Sequence, residues 1–281
     1  MAERRDLRAL FLLRGDVAFF NHGSFGACPR PVFAAYQARQ RELEEEPVEF
    51  LDRRGDELLA HAGAVLARFL GADPLDLVYV PNATTAMNIV ARSFPLGPGN
   101  EVLSTDHEYG AVDRMWRMVC AERGAGLVRA EIPLPVPSSG EVAERIWACV
   151  TPRTRVLSLS HTTSPTAVEF PVAELVARAQ ERGILTVIDG AHAPGQIPLE
   201  LEDLGADFYA GNCHKWMLAP KGAGFLWARR EAQRLLFSVH GIEVPVIPRR
   251  GEALLRVSVQ GYNTARDLGA LMDALPDELR S

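Results

Sequence analysis

The chain has 281 residues, of which 47% are hydrophobic, so it can bury a large core and is expected to form one large domain with a smaller appendage. Its formal net charge is −6, and its 30 basic residues are interspersed among 36 acidic ones. Because no basic stripe forms, the composition argues against a nucleic-acid partner.

The four cysteines are scattered, without a C-x-x-C pair or the His/Cys spacing of a zinc site. Neither a disulfide framework nor a metal site is therefore expected. The apolar run at residues 9–13 is too short for a signal peptide or a membrane span, and no longer apolar stretch follows. These features predict a cytoplasmic protein with reduced thiols and no membrane partner.

Short apolar runs alternate along the chain with longer stretches of helical periodicity. The runs predict strands at residues 77–80, 101–104, 156–160, 184–189, 207–210 and 224–227. The stretches predict helices at residues 31–46, 56–70, 84–94, 109–122 and 172–182. Such alternation is typical of an α/β domain whose mostly parallel sheet is buried on both faces.

The pattern changes after residue 234. Residues 237–247 and 254–260 are predicted to be strands, and residues 264–275 a closing helix. We therefore expect a large domain over residues 1–236, with an N-terminal arm, and a small C-terminal α+β domain over residues 237–281.

An aspartate ends the apolar strand predicted at residues 184–189. Ligands of open α/β sheets bind outside the carboxyl ends of strands, so Asp189 is a candidate site residue. Asp-Gly is also a strong turn pair, and by itself Asp189 could equally cap the turn that follows.

A lysine that follows the next predicted strand favours the site. Lys215 comes after the strand at residues 207–210, beside a histidine and before a glycine-rich turn. Partial desolvation there would lower the lysine pKa and make it a good Schiff-base former. A carboxylate for the pyridine nitrogen and an amine for the aldehyde are the two groups that pyridoxal 5′-phosphate (PLP) requires of a protein.

Five segments in combination resemble the class V aminotransferase family, most closely its isopenicillin N epimerase-like branch. They are NHGSFG at residues 21–26, NATT at 82–85, DGAH at 189–192, HK at 214–215 and RVSVQGYNT at 256–264. The resemblance implies a fold type I architecture, bound PLP and a homodimer with its sites at the subunit interface.

The resemblance also implies a role for each position around the cofactor ring. Lys215 matches the lysine that holds PLP and moves the substrate α-proton, and Asp189 matches the carboxylate on the pyridine nitrogen. His192 and Ser164 match positions beside the phenolic oxygen. Tyr109 matches the aromatic residue that stacks on the ring.

The cofactor phosphate is expected at the start of the helix at residues 84–94. Ala83, Thr84 and Thr85 offer backbone N–H groups and hydroxyls there, although threonines at such a place also serve as ordinary helix caps. Asn212 and His214 match further phosphate contacts of the family.

The substrate implied by the resemblance is a small-molecule amino acid. Its carboxylate suits the planar fork of an arginine, and Arg256 matches the family's arginine for this task. Asn21 and His22 lie in a turn that is near the substrate mouth in relatives.

Three reactions stay open for such a site: epimerisation, transamination and β-elimination by a lyase. Cysteine desulfurase is less favoured, because no cysteine follows Cys213 to receive the sulfur. The chain also runs from Leu236 directly into Phe237, where relatives carry a long stretch that contributes to the neighbouring subunit's phosphate site. If that stretch is deleted, the chain is a catalytically impaired or non-catalytic remnant, which is the competing hypothesis.

Overall fold

The computed structural model describes residues 7–233, 246–249 and 252–255. Its strands are β1 (Leu77–Val80), β2 (Glu101–Thr105), β3 (Gly126–Ala130), β4 (Thr154–Ser160), β5 (Leu185–Gly190), β6 (Phe208–Asn212), β7 (Gly224–Ala228), β8 (Val246–Arg249) and β9 (Glu252–Leu255). Its α-helices are α1 (His22–Phe25), α2 (Arg30–Glu45), α3 (Gly55–Leu70), α4 (Ala83–Ser93), α5 (Gly110–Arg123), α6 (Ser139–Trp147), α7 (Val172–Glu181) and α8 (Leu201–Leu204).

Seven strands form one sheet in the order β1-β7-β6-β5-β4-β2-β3. The neighbours from β3 through β2, β4 and β5 to β6 are parallel, whereas β7 is antiparallel to both β6 and β1. The expected mostly parallel α/β sheet is thus confirmed. Because the parallel strands share a direction, β2, β4, β5 and β6 end at the same edge of the sheet. The strand order reverses between β2 and β4, which is where open α/β sheets bind ligands.

Apolar side chains cover both faces of the sheet. Leu103 and Tyr209 belong to one buried cluster, while their neighbours Val102 and Phe208 belong to the cluster on the opposite face. The first cluster includes residues of α6 and α7, and the second includes residues of α4 and α5. Burial on both faces explains why the strands appear in the sequence as continuous apolar runs.

Among the described α-helices and strands, four were not expected from the sequence: the strand β3, the helix α6 and the four-residue helices α1 and α8. β3 lies at the edge of the sheet, and only Ala130 is buried in it, so the segment lacks a continuous apolar run. α6 begins with a capping box in which Ser138 and Glu141 bond reciprocally. That Ser-x-x-Glu spacing is a signal that could have located the helix.

The C-terminal expectations lie largely outside the described residues. β8 and β9 pair antiparallel, and β8 overlaps the strand predicted at residues 237–247. The proposed boundary between residues 236 and 237 and the helix at residues 264–275 lie outside the described residues. The division into two domains stays a prediction.

Three further findings concern the part of the chain that the structure describes. None of its helices is long and apolar enough to cross a membrane. The four cysteines are free thiols. Over the same ranges, no group of three or more His, Cys, Asp or Glu side chains is placed to hold a metal ion.

Gly190, the last residue of β5, lies directly against the buried ring of Tyr209. A Cβ at this position would overlap that ring, whose hydroxyl also bonds to His161 Nδ1 at 2.9 Å. We expect Gly190→Ala to lower the free energy of unfolding by about 2 kcal/mol or more, since a fully packed core cannot move aside. Denaturant titration by circular dichroism measures the change.

The control for this substitution is Gly63→Ala. Gly63 lies inside α3 with no atom within 4 Å of an added Cβ, so alanine there should stabilise the helix by about 0.5–1 kcal/mol. Equal stability of the two variants would contradict the predicted packing at Gly190.

Candidate active site

One cavity of about 720 Å³ lies at the carboxyl edge of the parallel strands. It brings together most of the residues predicted to form the site. Its lining comprises Ser24, Phe25, Pro81, Asn82, Thr84, Thr85, Tyr109, Ser160, Thr162, Ser164, Asp189, Ala191, His192, Asn212, His214, Lys215, Lys221 and Gly222.

Four predicted residues are not part of this lining. Ala83, the first residue of α4, is buried. Asn21 accepts a hydrogen bond from the Ser24 hydroxyl, and His22 contacts the Lys215 carbonyl from outside the cavity. Arg256 lies outside the described residues. The substrate roles of Asn21, His22 and Arg256 stay predictions.

Asp189 lies near the end of β5, with only 4% of its surface exposed. Its Oδ1 accepts a hydrogen bond from the Ala191 backbone N–H at 2.9 Å, while the residue also lines the cavity. Asp189 thus caps the turn after β5 and also lines the cavity, and its role as a cofactor ligand stays a prediction. Burial raises the pKa of the Asp189 carboxyl, and the Ala191 hydrogen bond and the charge of Lys215 act in the opposite direction.

Lys215 lies in the turn after β6, partly buried, on the same cavity as Asp189. Burial lowers the pKa of the Lys215 amine, and the nearby Asp189 carboxylate partly opposes the shift. The whole sequence contains two lysines, Lys215 and Lys221, and both line this cavity. Any amine chemistry of a lysine in this chain must therefore occur here.

His192, which follows β5 and its Asp189, contacts the amine of Lys215. Its Nε2 is 3.0 Å from Lys215 Nζ. Burial first, and the charge of Lys215 second, lower the pKa of His192 to about 4. The imidazole is therefore neutral at neutral pH.

Some backbone N–H groups at the start of α4 are bonded within the protein, and one, over the part of the chain that the structure describes, is free to bind a ligand in the cavity. Asn82 Oδ1 accepts from the Thr85 N–H at 2.9 Å, and the Ala83 N–H donates to Asn212 Oδ1 at 2.8 Å. Among the described residues, the Thr84 N–H and hydroxyl have no hydrogen-bond partner, and Thr84 lines the cavity. Thr84 is thus the best placed donor for an anion at this helix N-terminus.

His214 lies on the same side of the cavity as the start of α4. Its Nδ1 is 3.0 Å from the Ala223 carbonyl oxygen, and a carbonyl can only accept, so Nδ1 carries a proton in this contact. Burial lowers the pKa of His214, which leaves its other nitrogen unprotonated near neutral pH.

The cavity also contains a hydroxyl that lacks a partner. Thr162 Oγ1 is buried and makes no hydrogen bond within the described chain, which is an energetic cost that a bound ligand would remove. Ser164 is exposed at the rim, and the Tyr109 side chain is 46% exposed. A carboxylate, an amine, an anion-binding helix start and an unpaired hydroxyl form a donor set that fits PLP.

Glu108 is a buried acid that sequence reasoning missed. Its two carboxylate oxygens accept hydrogen bonds from Thr105 Oγ1 at 2.7 Å and from Ser160 Oγ at 2.6 Å. Burial raises the pKa of Glu108 to about 7, and the charge of Asp189 adds to the shift. The strand-end argument used for Asp189 could have found it, since Glu108 closely follows β2.

The short helix α1 covers the lysine turn from the N-terminal side. Gly26, at its end, has φ +72°, and a Cβ there would overlap the His214 carbonyl. His22 Nε2 lies 3.1 Å from the Lys215 carbonyl oxygen. The N-terminal arm therefore holds the backbone of the turn that presents Lys215. Ser24 of the turn expected near the substrate mouth lines the cavity, and Phe25, Thr162 and Lys221 line it without having been predicted.

The lowered pKa of Lys215 predicts a pH dependence. Because burial penalises the ammonium form, Lys215 should react with a small aldehyde and borohydride at a lower pH than a lysine with the ordinary pKa of 10.5. Peptide mapping of the Lys221→Arg variant, whose only lysine is Lys215, measures this reaction.

Asp189→Asn provides the matched comparison. It removes the carboxylate that favours the ammonium form of Lys215. The curve of Lys215 labelling against pH should therefore move to still lower pH. A labelling curve for Lys215 centred at or above pH 10.5 would show that burial does not control this amine.

Comparison with known proteins gives matches in both sequence and structure. The family model described as aminotransferase class-V matches residues 29–247. An isopenicillin N epimerase of Streptomyces clavuligerus is 40% identical over 226 residues, which make up 80% of this chain and 57% of that protein.

The chain belongs to the class-V aminotransferase family. A putative L-cysteine desulfhydrase 1 of Oryza sativa subsp. japonica is 36% identical over 230 residues, which make up 76% of this chain and 48% of that protein. This member of the class-V aminotransferases thus spans about half the length of the curated relatives it matches.

A solved structure confirms the fold of the chain. It is a mutant of C-DES with glycine covalently linked to its PLP cofactor. Its TM-score is 0.77 at 23% identity, and the match covers 97% of this chain and 74% of that one. The family and the fold type predicted from the five motif segments are therefore both confirmed.

Proposed function

We propose that this chain is a PLP-dependent enzyme that acts at the α-carbon of an amino acid. The cofactor follows from membership of the class-V aminotransferases and from the donor set of the cavity. The observation that carries the proposal is that the amine of Lys215 and the carboxylate of Asp189 line one cavity.

When bound, PLP supplies an aldehyde that condenses with amines and a ring that withdraws electrons from the α-carbon. Lys215 holds the cofactor until substrate arrives, and its amine then accepts or returns the α-proton. Asp189 keeps the pyridine nitrogen protonated. Thr84 and Asn212 hold the phosphate, and His214 can add a donor there only when its Nε2 is protonated, because its Nδ1 proton is used on the Ala223 carbonyl.

The reaction is one of epimerisation, amino transfer or elimination. Two relatives are named for epimerisation of isopenicillin N and for desulfhydration of L-cysteine, and both reactions begin by breaking the bond between the α-carbon and its hydrogen. That step requires a base, and Lys215 is the lysine best placed for it. Arg256 is our candidate for the substrate carboxylate.

The competing proposal is a non-catalytic or catalytically impaired remnant of this fold. It is favoured by the length of the match, because the chain spans 57% of the epimerase relative. If the stretch that relatives carry between Leu236 and Phe237 is deleted, a site that needs residues from it would bind PLP weakly and catalyse no turnover.

Reconstitution with PLP followed by incubation with amino acids in deuterated water distinguishes the two proposals. An enzyme should turn yellow, shift its absorbance on addition of its substrate and exchange that substrate's α-proton for deuterium. Chiral chromatography coupled to mass spectrometry then identifies whether the product is an epimer, a keto acid or an elimination product. A colourless chain that exchanges no proton supports the remnant.

We also propose that the protein is a homodimer. No residue of α2 is buried, and Phe20 and Phe25 near the cavity are 96% and 72% exposed. Contact with a second subunit would cover this apolar surface. Light scattering on the purified chain tests the assignment, and a monomer at all concentrations would refute it.

A further inference from the structure

His192 lies between nitrogen atoms of two neighbouring residues. Its Nε2 is 3.0 Å from Lys215 Nζ, and its Nδ1 accepts a hydrogen bond from the indole Nε1 of Trp216 at 3.4 Å. An indole nitrogen is a donor only, so the proton in the second contact belongs to Trp216. Nδ1 of His192 must therefore offer a lone pair.

The state of the other ring nitrogen follows from this contact. With a pKa of about 4, His192 is neutral near pH 7 and carries a single ring proton. Since Nδ1 is unprotonated, that proton is on Nε2, which faces Lys215. A neutral amine has a lone pair that can accept this proton, whereas an ammonium has none.

The position of the indole is fixed by packing on several sides. Its ring centroid is 5.0 Å from that of His22. Gly23 lies against both partners, because a Cβ there would come within 3.2 Å of Trp216 and 3.3 Å of His192. A Cβ at Gly195 would lie only 2.8 Å from the Trp216 backbone. The N–H of Trp216 is therefore held in its direction towards Nδ1.

We propose that Trp216 is a positioning residue that fixes His192 in its Nε2–H tautomer, so that His192 donates to Lys215 and favours the neutral amine. This inference rests on the proposed function, in which the neutral amine of Lys215 is the reactive form. The tautomer also means that His192 presents an N–H, rather than a lone pair, to the cavity.

Several titratable groups surround Lys215, and they shift its balance between amine and ammonium in different directions. They are Asp189 on β5, His192 in the turn after β5, the adjacent His214, His22 on α1 and Lys221 at the rim. His22 reaches only the backbone carbonyl of Lys215. The Asp189 carboxylate favours the ammonium, so a donor at Nε2 of His192 is the contact that opposes it.

Nitrogen-15 NMR of the full chain with labelled histidine tests the tautomer directly. The His192 signals are assigned by their loss in His192→Gln. We expect an unprotonated Nδ1 and a protonated Nε2 near pH 7 in the native chain. In Trp216→Phe, which keeps a flat ring and removes the N–H, Nδ1 should gain a share of the proton.

The second readout is the rate at which borohydride traps PLP on Lys215 near pH 7, in the Lys221→Arg background. Trp216→Phe should slow trapping by about three- to tenfold, the range expected for one net hydrogen bond. The matched control is Trp147→Phe at the end of α6, where the indole lies 4.5 Å beneath the Arg178 guanidinium. It should leave both the rate and the His192 spectrum unchanged.

A protonated Nδ1 in the native chain overturns the proposal, and this holds even if Trp216→Phe fails to fold. Unchanged tautomer and trapping rate in a folded Trp216→Phe chain overturn it as well. A native chain with the expected tautomer but no trapping of PLP refutes the proposed function instead and leaves the role of Trp216 in setting the tautomer supported.

Discussion

Lys215→Ala should abolish covalent attachment of PLP and lower turnover by about 10²- to 10⁴-fold, the contribution typical of a positioned acid–base group. The chain has two lysines, Lys215 and Lys221. Lys215 is the one whose Nζ lies 3.0 Å from His192 Nε2, and it shares its cavity with Asp189. Its loss therefore removes the amine that faces the acid. Borohydride reduction followed by peptide mass spectrometry measures the attachment, and substrate α-proton exchange measures the turnover.

The comparison variant is Lys221→Arg, which keeps the positive charge at the rim and should retain attachment at Lys215. Attachment that persists in Lys215→Ala, at Lys221 or at the N-terminal amine, would contradict the assignment. Because each amine lies in a different peptide, the three outcomes are separated in one experiment.

Asp189→Asn should lower turnover by about 10²- to 10³-fold while leaving PLP attached to Lys215. Removing one preorganised electrostatic partner of the reacting group typically has an effect of this size. The amide is isosteric and can still accept from the Ala191 N–H, so the turn after β5 is retained. The absorbance spectrum of the bound cofactor should also change, because the pyridine nitrogen loses its anionic partner.

The same substitution has an opposite effect on the stability of the chain without cofactor. Burial raises the pKa of Asp189 in the folded state above its ordinary value of 3.8, so ionising this carboxyl costs more folded than unfolded. Asp189→Asn should therefore be more stable than the native chain near pH 7, and the difference should vanish as pH falls below 3.8. Undiminished turnover together with unchanged stability would show that Asp189 is an ordinary turn cap.

Much of the fold was predictable because its signals are local. The strands β1, β2, β4, β5, β6 and β7 and the helices α2, α3, α4, α5 and α7 each overlap a segment expected from apolar runs or helical periodicity. β3 and α6 were not expected, since an edge strand has a weak apolar pattern and the capping box at Ser138 was not used. The antiparallel pairing of β7 is set by contacts between strands and leaves no mark on its apolar run.

The part of the candidate site that could be predicted consists of ionisable side chains at or just after the end of a predicted strand. Asp189 and Lys215 were found this way, and the structure places both on one cavity. Asn21 and His22 were expected near the substrate, whereas the structure places them outside the lining, where they support α1 and the lysine turn. Glu108 was missed, because the strand-end argument was not applied to β2, and the raised pKa that marks this acid follows from its burial in the structure.

The sequence by itself determined that this chain belongs to the class-V aminotransferase family and has a strand-end acid and a strand-end lysine, because both features depend on short motifs. Tertiary structure alone decided which side chains meet: the unpaired Thr162 hydroxyl, the buried Glu108 and the line of contacts from Trp216 through His192 to Lys215. The physical reason is that the edge of a parallel sheet gathers residues from distant parts of the chain. Their distances and desolvation follow from strand order and packing, which no local pattern encodes.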